Sequence, residues 1–185
     1  MIEVRFHGRG GQGVVIASEV LAKAAFKMGF EVSSFPFFGV ERRGAPVTAY
    51  ARIDKNPIRI KSSIYEPDYI VVLDSTLLKG VDLLEGLKSG GKVLINYPDD
   101  MTLPGISDRF QYYTLDATAI AATHGIGSKM TPIVNTAIMG GFAKMSDWVS
   151  IEAMLEIIRE VAPVKKDENV EAAREAYERT REVAV

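Results

Sequence analysis

Apolar and polar positions divide the chain into alternating short strands and helices. The segment IEVRFHG at the start is rich in β-branched and aromatic residues and reads as a strand. From Gly13 to Met28 the period becomes helical. Glu19, Lys23 and Lys27 form a polar stripe at i, i+4, i+8, while Val14, Ala17, Leu21, Ala24, Ala25 and Met28 are expected to pack inward, and Gly29 to end the helix. EVSSF is a second strand, followed by the loop PFFGVERRGAP. VTAYARI and IRI predict a hairpin across Asp54-Lys55-Asn56-Pro57. DYIVVLD and KVLIN are continuous apolar runs, the pattern of strands buried on both faces of a parallel sheet, with a crossover helix expected over LLKGVDLLEGLKSGG. FQYYTLD is a further strand and ATAIAATHG a short helix.

Three more helices complete the pattern. One is expected to start at Thr131 as N-cap with Pro132 in its first turn, and one at capping Ser150, ending before Pro163. The last, from Asp167 to Glu182, is charged, with Glu175 and Arg179 at i, i+4 and a thin apolar line of Val170, Ala173, Tyr177 and Thr180. The expected fold is therefore α/β, a doubly wound, mostly parallel sheet with an inserted β-hairpin and a C-terminal helical tail. A single α/β domain is expected over residues 1–165. The charged helix over 166–185 reads as too polar for core, so it either clasps the body or reaches a partner subunit. In such sheets ligands meet loops beyond the carboxyl ends of the strands. Those loops are Gly8–Gly13, Pro36–Ala45, Asp74–Thr76, Asn96–Pro98 and Asp116–Thr118.

Composition narrows the chemistry. The 185 residues include no cysteine, which excludes disulfides, thiolate zinc sites and iron–sulfur ligation by this chain. The N-terminus lacks a signal-peptide pattern and no apolar run is long enough for a membrane helix, so a cytoplasmic protein without membrane contact is expected. Residues 1–61 hold ten Lys or Arg against five Asp or Glu, and residues 62–185 twelve against nineteen. Such asymmetry fits either an anion-facing end or a chance spread over a solvated surface. With no basic run interleaved with aromatics, nucleic-acid binding is not expected.

The loop Gly8-Arg9-Gly10-Gly11-Gln12-Gly13 between strand and helix is literally G-x-G-x-x-G. Its glycines let backbone N–H groups approach an anion at a helix N-terminus, and Arg9 adds charge. A nicotinamide site would also want an acid at the end of the second strand to hold the ribose, but that strand ends SSFPFF. Gln12 occupies a position the motif leaves free. A structural turn, a dinucleotide site and another anion contact all remain open.

The second constellation is Glu41-Arg42-Arg43, bracketed by Gly39 and Gly44. Its arginines can clamp phosphate or carboxylate, or one of them can pair locally with Glu41. At least one of Phe35, Phe37 and Phe38 is expected in the core. His7 can serve an anion or acid–base chemistry, or be satisfied by backbone; His124 suits a helix C-terminus. Asp74 and Asp116 suit helix caps. Catalytic sets and metal spacings are lacking, so the residues by themselves describe no complete enzyme.

Three segments together, HGRGGQGVVIASEVLAKAA, SSFPFFGVERRGAPVTAYARI and TPIVNTAIMGGFAK, resemble the gamma subunit of 2-oxoacid:ferredoxin oxidoreductases. The resemblance runs from Ile2 to about Val161, and ERRGAPV looks closer to the pyruvate and branched-chain ketoacid types. It implies a multi-subunit enzyme, with alpha, beta and delta partners, that turns a 2-oxoacid, coenzyme A and oxidised ferredoxin into acyl-CoA, carbon dioxide and reduced ferredoxin. Thiamine diphosphate and iron–sulfur clusters would belong to the partners, and no cofactor would be bound tightly here. Arg9, Gly10, Gly11, Gln12, Gly13, Arg42 and Arg43 would then meet coenzyme A or neighbouring subunits. A homodimer in isolation is compatible with this. The competing readings are a free-standing NAD(P)-dependent reductase and a pure assembly protein.

Overall fold

The computed structural model describes residues 1–37, 44–80, 82–99, 102–103, 105–128 and 130–184. Among them, seven strands form one sheet in the order β2-β3-β1-β4-β5-β6-β7. The strands are β1 (Ile2–Arg9), β2 (Glu31–Phe37), β3 (Pro46–Asp54), β4 (Tyr69–Val72), β5 (Lys92–Asn96), β6 (Gln111–Leu115) and β7 (Arg181–Val183). The centre, β1-β4-β5-β6, is parallel; β3 is antiparallel to both β1 and β2, and β7 antiparallel to β6. The α/β class expected from the apolar runs is thus present, with the sheet parallel through its middle and antiparallel toward both edges.

Side chains alternate between the two faces of the sheet. Val4, Phe6, Ala49, Ala51, Ile53, Val71, Leu94 and Leu115 share one core cluster with α1 (Val14–Lys27), α2 (Ala117–Thr123), α3 (Ala137–Ser146), α4 (Ile151–Val161) and α5 (Lys166–Arg179). Ile70, Val72, Val93, Ile95 and Tyr112 form a second cluster with Leu77, Leu83, Leu87 and Leu103, which lie in a 3-10 helix (Ser75–Lys79) and in connecting segments.

Several elements differ from expectation, each for an identifiable reason. The crossover helix over 77–91 is replaced by the 3-10 helix and turns. Gly86 sits at φ +73 against the carbonyl of Tyr65, and Arg5 takes up the carbonyls of Leu83 and Glu85 that a helix would have used internally. The hairpin of VTAYARI with IRI does not form: β3 pairs with β1 and β2 instead, and the carbonyls of Ile60, Ser62 and Ser63 turn to Arg52. The helix expected from Thr131 begins at Ala137. Pro132 bridges to Gly127 and Thr131 bonds to Ser128, so this stretch is a tight hairpin ahead of the helix. Met28 is exposed, beyond the last inward turn of α1.

The charged tail is helical only to Arg179, because Arg181–Val183 leave the expected helix to pair with β6 as β7, and α5 clasps the body. Its Val170, Ala172, Ala173 and Ala176 are buried, and Gly140 of α3 lies so close to the Ala173 carbonyl that any Cβ there would collide with it. Small residues on both helices let the backbones approach, so an alanine face supplies core that its mean polarity hides. Ser150, Asp74 and Asp116 accept backbone N–H groups as caps, as their positions suggested.

Candidate functional site

The carboxyl ends of β1, β4, β5 and β6 open onto one edge of the sheet. The start of β3 lies beside the end of β1, with Arg9 opposite Pro46. The described residues of the loops expected to meet a ligand therefore do converge.

Gln12 holds the glycine loop together. Its Oε1 accepts the Arg9 backbone N–H at 2.7 Å, and its Nε2 donates to Asp74 Oδ2 at 2.8 Å. Arg9 reaches across the edge: Nη2 donates to Thr76 Oγ1 at 2.8 Å, Nη1 to the Gly44 carbonyl at 3.0 Å, and Nε lies 3.3 Å from Asp74 Oδ2. Burial works against the Asp74 carboxylate. Hydrogen bonds from Thr76 and Gln12, with the Arg9 charge, outweigh it and hold its pKa below the usual range. Arg9 is thereby paired, and its charge serves the loop's own shape.

Backbone bonds tie in the neighbouring loop, Gly10 N–H to Ala45 carbonyl at 2.9 Å and Gly44 N–H to Gly10 carbonyl at 3.2 Å. Gly44 follows Arg43 in the chain. Phe38, Arg42 and Arg43 themselves lie outside the described residues. Phe35 is half-buried against Tyr50, and Phe37 is exposed.

A groove of about 600 Å³ runs between the glycine loop and the hairpin 127–134, with Asn96 and Thr118 among its lining residues. Buried Asn96 donates to the Leu73 carbonyl and to Thr118 Oγ1, both at 2.9 Å, joining the ends of β4, β5 and α2. The groove is lined by Arg9, Gln12, Asn96, Ser128 and Thr131 together with Met130, Pro132 and Ile133, so it offers one cation, paired with Asp74, beside neutral polar groups and apolar surface.

The sequence placed Gln12 among the residues implied by the resemblance without its tie to Asp74, and Asn96 only as the start of a loop. The available signal was Asn96 itself, a polar residue closing an otherwise apolar strand. His7 is not part of the site. It points to the opposite sheet face from Phe6 and, in place of the expected backbone partner, its Nε2 accepts from Arg5 Nε at 3.0 Å. Burial and then the Arg5 charge push its pKa down to about 3.

Two features argue against nicotinamide binding. β3 separates β2 from β1, so the end of β2 is two strands, about 10 Å, from the glycine loop. The third glycine, Gly13, at φ +76, is closed over by Asn135, whose side chain a Cβ would strike. Nor does the donor set suit a cluster: the sequence has no cysteine, and the described residues bring together no group of three His, Asp or Glu able to hold a metal.

Fold and edge thus define an α/β domain with a glycine-loop groove at the carboxyl ends of its parallel strands. The family model described as pyruvate ferredoxin/flavodoxin oxidoreductase matches residues 3–179. The chain is 52 % identical over 180 residues to pyruvate synthase subunit PorC of Methanothermobacter marburgensis, covering 97 % of each. It is 51 % identical over 184 residues to the pyruvate/ketoisovalerate oxidoreductases common subunit gamma of Pyrococcus furiosus, again covering 97 % of each. Pyruvate oxidoreductase subunit PORC from Thermotoga maritima superposes with TM-score 0.82 at 32 % identity, over 99 % of this chain and 98 % of that one. The chain belongs to the pyruvate ferredoxin/flavodoxin oxidoreductase family, among its gamma subunits, as the three sequence segments implied. The free-standing NAD(P) reductase reading finds no support in these relatives.

Proposed function

We propose that this chain is the gamma subunit of a pyruvate-type 2-oxoacid:ferredoxin oxidoreductase and that its sheet-edge groove helps bring coenzyme A to the reaction. The complex would cleave carbon dioxide from the oxoacid, pass the electron pair to ferredoxin and leave the acyl group on coenzyme A. Thiamine diphosphate and the iron–sulfur clusters would sit in alpha, beta and delta partners, in keeping with the donor chemistry of this chain. A cytoplasmic location fits that role; among the described residues no helix is long and apolar enough to cross a membrane.

The observation that carries the reading is the groove itself. Its amides and hydroxyls between apolar walls suit a thin, amide-bearing chain, and Gly44, next in the chain after Arg42 and Arg43, is among its lining residues. With Arg9 committed to Asp74, those two arginines are the cations we assign to the phosphates. The test replaces Arg42 and Arg43 by Ala in the reconstituted complex. The KM for coenzyme A should rise roughly tenfold or more, the loss of one to two charge-assisted hydrogen bonds. An unchanged KM with intact assembly would leave the edge a purely structural role.

A further inference from the structure

Helix α1 buries most of its apolar side chains, but two large ones stay outside: Ile16 is 43 % exposed and Phe26 66 %. The exposed positions of the helix are Ile16, Glu19, Lys23, Phe26 and Lys27, and they fall on one stripe directed away from the sheet. Lys27 is tied to Glu156 of α4. Among the described residues, neither Glu19 nor Lys23 enters an ion pair with its own chain.

The rest of the stripe is symmetric about its middle. Ile16 and Phe26 lie five residues to either side of Leu21, and Glu19 and Lys23 two residues to either side. Two such helices laid antiparallel, with Leu21 level in both, therefore face Glu19 with Lys23 and Ile16 with Phe26, each pair twice. A two-fold contact requires this property, because one patch must fit itself.

The Ile16 end of the stripe also carries a hollow. Ile16 and the exposed Val164 line a pit of about 210 Å³ together with Ile126, Ile133 and Val161. The pit is below the range of about 300–1,000 Å³ typical of whole-ligand sites and suits a single large side chain. Lys165 lines it too, bonded through Nζ to the neutral Gly125 carbonyl and so still charged. An aromatic ring fills such a hollow and offers its face to the cation, which an aliphatic guest would only desolvate. Phe26 of an antiparallel copy is the ring that the symmetry brings level with Ile16. We propose that this face binds a second copy of the chain about a two-fold axis, α1 against α1, with Phe26 of each copy seated at the pit beside Ile16 of the other. The contact is small, so the pair is a concentration-dependent dimer.

Sedimentation equilibrium of the full chain, up to about 1 mM, should show monomer and dimer in equilibrium. Glu19→Lys or Lys23→Glu alone turns both cross-copy pairs from attraction to repulsion and should raise the dimer Kd roughly tenfold. An equimolar mixture of the two variants should regain the dimer, since every facing pair is then Lys with Glu; a salt bridge within one helix would gain nothing from mixing. Phe26→Ser should raise Kd roughly a hundredfold. Val164→Arg, at a pit-lining position 67 % exposed, crowds the mouth outside the core and should raise it roughly tenfold. A monomer throughout that range, or a mixture no more dimeric than either variant alone, would overturn the two-fold contact. An unaltered Kd for Val164→Arg would overturn the seat in the pit. If the unsubstituted chain stayed monomeric while Phe26→Ser no longer joined the other subunits, the face would belong to a partner subunit and the proposal would fall.

Discussion

The two faces of the sheet are covered in opposite ways. One carries all five described α-helices over a wholly apolar cluster. The other carries a 3-10 helix and irregular chain over a smaller cluster, flanked by two buried arginines. Helices satisfy their own backbone, so apolar contact is enough to fix them. Irregular chain presents unpaired carbonyls, and here side-chain donors meet them. Arg52, 2 % exposed, donates to Glu3 and to the carbonyls of Ile60, Ser62 and Ser63. Arg5 donates to His7 and to the carbonyls of Leu83 and Glu85. A face without helices needs anchors with several donors, and the guanidinium fork provides them.

The contrast can be broken from either side. The largest effect should come from the helix face: Gly140→Val would push α5 off the Ala173 carbonyl and destabilise the chain by about 3 kcal/mol or more, measured by urea unfolding. On the loop face, Arg52→Met should cost about 3 kcal/mol, because Glu3 and three carbonyls lose their donor; Arg52→Lys, a single point donor, should recover only part of it.

A third effect is confined to the loop face and depends on pH. His7 is held at a pKa of about 3 when folded against an ordinary value of 6.5. Below pH 6.5 the unfolded chain takes up a proton that the native chain refuses, so stability falls as pH drops from 6.5 towards 3. By pH 5 the loss should reach about 2 kcal/mol. His7→Gln, which still offers Arg5 an acceptor, should flatten that part of the Tm–pH curve; an unaltered slope would place the sensitivity elsewhere. The smallest effect should be Ser150→Ala, which removes the 3.1 Å bond to the Ala153 N–H at the start of α4, at about 1 kcal/mol with no pH dependence in that window.

Legibility followed the same division. α1, β4, β5 and the Ser150 cap declared themselves through period and capping residues, because their packing needs only apolar side chains at the right spacing. The segment 77–91 has helical spacing too, yet its glycines and the pull of Arg5 on Leu83 and Glu85 keep it irregular. Nothing near it in sequence reveals an arginine more than seventy residues away. At the site, Gly10–Gly13 were visible as a turn, but not that Gln12 locks it to Asp74 or that Asn135 fills the space Gly13 leaves. Both contacts join residues far apart in the chain.

By itself the sequence determined the α/β class, the glycine loop at a strand–helix junction, the absence of cysteine ligands and, through its paired motifs, the family. Those properties reside in local spacing and composition. Tertiary structure alone decided that the sheet has one helical and one arginine-anchored face and that Arg9 is paired within its own loop. It also decided that Asn135 closes over Gly13, since which side chain fills the space a glycine leaves depends on what the fold brings beside it.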